Sequence, residues 1–81
     1  MNEEYSHYKK DVLHLEIIDV YRVCDLFEVT DQAVGHAVKK LLCAGIRGHK
    51  DFRKDIQEAF DALERKLEMM EEDQQKNAQK Y

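Results

Sequence analysis

The chain has 81 residues, of which 17 are acidic, 13 are basic and 43% are hydrophobic. This length predicts one domain and excludes an enzyme with two lobes around a cleft, and its small core favours a homo-oligomer. The apolar runs are too short to span a membrane, and the polar start predicts no secretory signal. Two cysteines, Cys24 and Cys43, are too few for a disulfide framework and favour reduced thiols in a cytoplasmic protein.

The net charge of −4 conceals one basic segment. Residues 39–54 carry six basic side chains and one acidic side chain, whereas residues 1–38 and 55–81 are both acidic. Acidic flanks repel a long phosphate backbone, which argues against general nucleic-acid binding. The segment fits a small anionic ligand, an acidic patch on a partner, or a solvated loop without a partner.

Residues 11–27 are dense in apolar side chains and contain neither glycine nor proline. Isoleucine and valine are frequent enough to suggest a strand, but the stretch is long for a strand, so the pattern predicts a first helix buried on more than one face. Thr30 is placed to cap a second helix from Asp31 to Ala44, and Gly45 stands where a left-handed residue often ends a helix.

The third predicted helix is the longest. Its apolar stripe advances in steps of four and three from Phe52 to Met70, through Ile56, Ala59, Leu63 and Lys66, and is widened by Phe60 and Leu67. Lys66 interrupts the stripe, so we expect its stem to pack and its amine to lie in water. The sequence therefore predicts an all-α fold, a small three-helix domain over residues 11–70, after an N-terminal segment (1–10) and before a polar helix end or disordered tail (71–81).

Few residues suggest catalysis, since there is no glycine-rich phosphate loop and no nucleophile with a matched base. Two carboxylate pairs, Glu16 with Asp19 and Glu58 with Asp61, have a spacing that places both members on one face of a helix. Facing pairs of this kind could hold a hydrated magnesium ion, as in helical nucleotide pyrophosphatases. The alternative is that these carboxylates are solvated or salt-bridged, with no cofactor.

A series of short motifs resembles a small phage-encoded family of largely unknown function, whose longer members include proteins described as nucleotide kinases without the usual phosphate loop. The motifs run in order through most of the chain: His7-Tyr8, Glu16 to Val20, Gly35 to Lys39, Ala44-Gly45, Asp55-Ile56 with Ala59, and Leu63-Glu64-Arg65.

The resemblance implies an anion site formed by Lys39, Arg47 and Lys54, with His7 and Tyr8 nearby. The chain also departs from the family. Cys43 stands where the family has arginine, and Glu58 stands where it has lysine, so two cations that could meet phosphate are missing.

Three functions follow as hypotheses. The first is a phage accessory protein in the host cytoplasm that acts by binding, without catalysis, and either inhibits a host or defence protein or sequesters a small nucleotide. The second is a magnesium-dependent nucleotide-processing enzyme, similar to a kinase or a pyrophosphatase. The third is a structural helical module of a larger assembly.

Overall fold

The computed structural model describes residues 7–46 and 51–79, with side chains as far as residue 75. Besides the helical residues 7–8, these ranges contain three α-helices and no strand: α1 (Val20–Leu26), α2 (Gln32–Leu42) and α3 (Phe52–Gln79). The predicted all-α fold class is confirmed. The chain divides into two compact units, residues 1–30 and 31–81. The predicted single domain over residues 11–70 stays a prediction.

In the first unit, α1 begins at Val20, and the predicted helix over residues 11–19 is wrong. The side chain of Asp11 accepts a hydrogen bond from the backbone N–H of Leu13 at 3.0 Å. Asp19 caps α1, because its Oδ1 accepts from the N–H of Arg22 at 2.9 Å. Aspartate side chains at both ends of the segment thus bond to nearby backbone groups, which competes with a continuous helix.

The end of α1 is a Schellman motif without glycine. Glu28 adopts a positive φ of 56°, its N–H donates to the carbonyl of Asp25, and the N–H of Val29 donates to the carbonyl of Cys24 at 2.8 Å. Glycine is the usual residue here, because a Cβ strains the left-handed conformation by about 1 kcal/mol. The composition of residues 11–27 does not predict this helix end.

In the second unit, α2 begins and ends close to the predicted limits. The cap is Asp31 and not Thr30, since Asp31 Oδ2 accepts from the N–H of Val34 at 2.9 Å. The helix ends at Leu42, and Gly45 has a φ of 75°, which confirms the left-handed glycine. A Cβ at Gly45 would lie 3.2 Å from the Cβ of Phe52, so the position also admits α3 close to the turn.

Helices α2 and α3 form an antiparallel hairpin, called here the α2–α3 hairpin. Its buried apolar contacts are small, because Ala37 and Ala59 are the two hydrophobic residues that are buried among those described. Alanine lets two helices approach closely but removes little apolar surface from water. Polar contacts must therefore contribute much of the specificity of this pair.

Helix α3 continues to Gln79, so the polar extension is helical over residues 71–79. Arg65 supports this part of the helix, with its Nη1 3.3 Å from Glu68 and 2.9 Å from Glu72. Its hydrogen bonds to Glu72 and then Glu68 raise the pKa of the Arg65 guanidinium above its ordinary value. These pairs are exposed, so each stabilises the helix modestly.

Candidate functional site

The most buried polar cluster joins the end of α2 to the start of α3. Lys40 Nζ lies 3.3 Å from Glu58 Oε1 and 3.9 Å from Asp55 Oδ1. Asp55 is fully buried, and 9% of the Lys40 side chain is exposed. Charges removed from water in this way require opposite charges close by.

Asp55 also holds the turn between the two helices. Its Oδ2 accepts a hydrogen bond from the backbone N–H of Gly45 at 2.9 Å. One carboxylate therefore links the turn after α2, the last turn of α2 through Lys40, and its own helix α3. Opposite charges thus lie close together in this cluster, which is typical of a structural crosslink.

A second ion pair lies at the other end of the hairpin. Lys66 Nζ is 2.7 Å from Asp31 Oδ1, and about a third of each side chain is exposed. The Lys66 amine thus binds Asp31, a partner that the sequence pattern did not predict, while its side chain stays partly exposed. The hydrogen bond from Lys66, followed by the bond from the N–H of Val34, holds the pKa of Asp31 below its ordinary value of 3.8.

This lowered pKa predicts a pH dependence of stability. Because the folded chain holds the Asp31 proton more weakly than the unfolded chain, the charged form stabilises the hairpin above pH 3.8, and the gain is lost as pH falls through the lowered pKa. We expect wild type to be more stable than Asp31→Asn at pH 7, since asparagine keeps the cap but not the charge. The measurement is urea unfolding followed by circular dichroism.

The same comparison well below the lowered pKa provides the control. There Asp31 is protonated and resembles asparagine, so the two unfolding curves should coincide. A difference in unfolding free energy that is equal at neutral and strongly acidic pH would contradict the assignment of this pair.

The residues predicted to bind phosphate belong to both units. Lys39 is exposed in the last turn of α2, and Lys54 is exposed in the first turn of α3, so both lie at the turn end of the hairpin. His7 and Tyr8 are exposed in the first unit, with ring centroids 6.2 Å apart. Arg47 lies outside the described residues. The anion site stays a prediction.

The carboxylates predicted to bind magnesium are divided between the two units. Glu16 and Asp19 belong to the first, where the expected shared helix face is wrong because α1 begins after both residues. In the second unit, Glu58 pairs with Lys40, and Asp61 Oδ1 accepts from the Gln57 side chain at 2.9 Å.

No group of three or more His, Cys, Asp and Glu side chains that could hold a metal ion occurs within residues 7–46 and 51–79. The magnesium site on all four carboxylates stays a prediction. The cysteines Cys24 and Cys43 are both half-buried and free of disulfides. Cys43 follows α2 as its C-terminal cap.

Helix α3 has two different faces, which the sequence analysis treated as one apolar stripe. Asp55, Ala59, Ala62 and Lys66, spaced four, three and four apart, lie on the side that carries the contacts with α2. The small and charged residue types of this row, and not its spacing, were the signal that could have identified the face of α3 that packs on α2.

A second row on α3 is apolar and exposed. It lies about 100° around the helix from the first and advances in steps of four and three. We call it the α3 stripe; its five residues are between 38% and 62% exposed and are Ile56, Phe60, Leu63, Leu67 and Met70.

No helix in the part of the chain that the structure describes is long and apolar enough to cross a membrane. Comparison with protein-family models, curated proteins and solved structures finds no match to this chain.

Proposed function

We propose that this chain is a non-catalytic binding protein that contacts another protein through the α3 stripe. The observation that carries the proposal is the exposure of five large apolar side chains in one continuous row. Single exposed apolar residues are ordinary on a protein surface, but a contiguous patch bordered by polar groups is typical of an interaction site. The borders of the stripe include Arg53, Glu64 and Glu71.

The use of the buried charges supports binding over catalysis. A catalytic acid or base needs access to substrate, whereas Asp55 is fully buried and bonds to Gly45 and Lys40. Glu58 is part of the same cluster through Lys40. These residues stabilise the hairpin itself. The α3 stripe, by contrast, is exposed and is therefore available to bind a partner.

The resemblance to a phage-encoded family supports one biological setting for this activity. A small accessory protein of a phage would meet a host or defence protein in the host cytoplasm, and a helix with an apolar row is a common means of entering a groove on such a target. A structural module of an assembly would use the same surface on a different partner.

A small anionic ligand is the second candidate, and one observation favours it. Lys39 and Lys54 are both exposed at the turn end of the hairpin, so their charges belong to one region of the surface. A phosphate group of a nucleotide is the chemistry that two such lysines would attract. This ligand would be held away from the α3 stripe, so it can be tested separately.

The experiment compares partner retention by three immobilised forms of the chain: wild type, Leu67→Asp and Met69→Asp. A carboxylate at position 67 places a charge within the stripe, where a bound partner would desolvate it. Met69 is also exposed and apolar, but it lies two positions along the helix and therefore on nearly the opposite side. We expect proteins retained by wild type from a lysate of the source cell to be retained by Met69→Asp and lost with Leu67→Asp.

Equal retention by Leu67→Asp and wild type would contradict the proposal. Calorimetric titration with mono-, di-, tri- and cyclic nucleotides, with and without magnesium, is expected to give no binding heat. Saturable heat that is weakened by Lys39→Ala and by salt would instead support the anionic ligand.

A further inference from the structure

We propose that the occupant of the α3 stripe is a second copy of this chain, paired in the antiparallel direction. This inference rests on the proposed function, because it identifies the protein that the stripe binds. Three properties of α3 carry it: the spacing of the stripe, the place where α2 stops covering the helix, and the distribution of charge along one edge.

The spacing of the stripe is that of a two-helix interface. Successive steps of four, three, four and three between Ile56 and Met70 are the repeat that lets apolar side chains of one helix enter gaps between those of another. Alanines and charged groups face α2 instead, so the hairpin leaves this repeat unused. A second α3 carries the same repeat, and the two rows are therefore complementary in size.

The hairpin covers α3 over only part of its length. The ion pair between Lys66 and Asp31 marks the beginning of α2, so residues 67–79 extend about 20 Å past it. Leu67 and Met70 lie at the base of this extension and are exposed. A helical segment without packing on an apolar side is marginal in water, and an antiparallel second α3 would supply that packing from its own Ile56 and Phe60.

Charge along the edge of the stripe favours the antiparallel direction. Arg53 and Glu71 are separated by five helical turns and lie along the same edge. Pairing centred on Leu63 brings Arg53 of one copy level with position 73 of the other, within two residues of Glu71 on the facing edge. In a parallel pair the two copies of this edge lie on opposite sides of the interface, so Arg53 of one copy would not meet Glu71 of the other.

The area of the stripe is sufficient for a weak, specific dimer. Ten partly exposed side chains, five from each copy, would bury on the order of 1,000 Å² in total, which is near the lower limit for a specific interface. Such an interface is expected to associate at micromolar concentrations.

Sedimentation velocity on the full chain tests the self-association. Wild type is expected to change from monomer to dimer between about 1 and about 200 µM, the range suited to an interface of this size. Leu67→Asp should raise the dimer dissociation constant about a hundredfold or more, since it buries an unpaired charge. Met69→Asp should leave the constant within about threefold of wild type, because its side chain points away from the stripe.

Charge reversals test the pairing direction. Arg53→Glu is expected to weaken an antiparallel dimer about fivefold, since it turns two attractions per dimer into repulsions. Adding Glu71→Lys should restore the dimer, because the opposite charges then face each other again. A parallel dimer would show no such rescue, because its two copies of this edge lie on opposite sides of the interface and Arg53 does not meet Glu71.

The outcomes distinguish the self-association proposed here from the partner binding proposed above. Wild type that stays monomeric up to about 200 µM would overturn self-association, while partner retention that still depends on position 67 would leave the proposed function standing. If Leu67→Asp loses its helical circular dichroism, the charge reversals decide, because their positions are exposed and stripe packing is unaltered. A dimer dissociation constant that is unchanged by both charge reversals would overturn the antiparallel arrangement.

Discussion

Replacing Asp55 by alanine is expected to lower the free energy of unfolding of the α2–α3 hairpin by about 3 kcal/mol. The change removes the fully buried partner of Lys40 and leaves the N–H of Gly45 without its acceptor. Glu58 remains beside the lysine and offsets part of the loss. Urea unfolding followed by circular dichroism measures the effect, and the variant should unfold at a clearly lower urea concentration than wild type.

Asp55→Asn separates the two contributions of this side chain. Asparagine keeps an oxygen for the N–H of Gly45 but removes the negative charge near Lys40. We expect its stability to lie between those of wild type and Asp55→Ala. Unchanged stability in Asp55→Ala would show that the buried cluster does not hold the hairpin together.

Enlarging Ala59 to leucine is expected to destabilise the hairpin by about 2 kcal/mol. Ala59 is 2% exposed on the side of α3 that carries the contacts with α2. Three additional carbon atoms cannot be accommodated there unless the helices separate, and separation would lengthen the ion pairs at both ends of the hairpin. Thermal and urea unfolding measure the effect.

Gln57→Leu is the matched control for Ala59→Leu. It introduces the same side chain on the same helix at an exposed position, so the unfolding free energy should change by about 0.5 kcal/mol or less. If Ala59→Leu were as stable as Gln57→Leu, the close approach of the two helices at this position would be refuted.

Much of the second unit could be predicted from the sequence because its signals are local and regular. The apolar repeat after Phe52 determines α3, and Gly45 identifies the end of α2 through a backbone conformation that other residues adopt at a cost. The structure of residues 11–19 could not be predicted in this way. Their length without glycine or proline favoured a helix over a strand, but the carboxylates of Asp11 and Asp19 accept hydrogen bonds from nearby backbone N–H groups, which favours a turn and a later helix start.

The candidate site could be predicted only in part. Periodicity identified the stripe on α3, yet it could not separate the residues that face α2 from those that face solvent, because both rows repeat in steps of four and three. The buried pairing of Lys40 with Asp55 depends on which positions meet across the hairpin. Sequence spacing within one helix contains no such information, so Lys40 counted only as part of a basic segment.

The two ion pairs of the hairpin have a consequence for helix register. An interface built on Ala37 and Ala59 is smooth, and one alanine contact can be exchanged for another when a helix slides by one turn, or about 5.4 Å. Such a slide would break the Lys66–Asp31 pair and expel Lys40 from Asp55 at the same time. The two ion pairs therefore fix the register of α2 against α3. An insertion or deletion between Asp55 and Lys66 would prevent both ion pairs from forming at the same time.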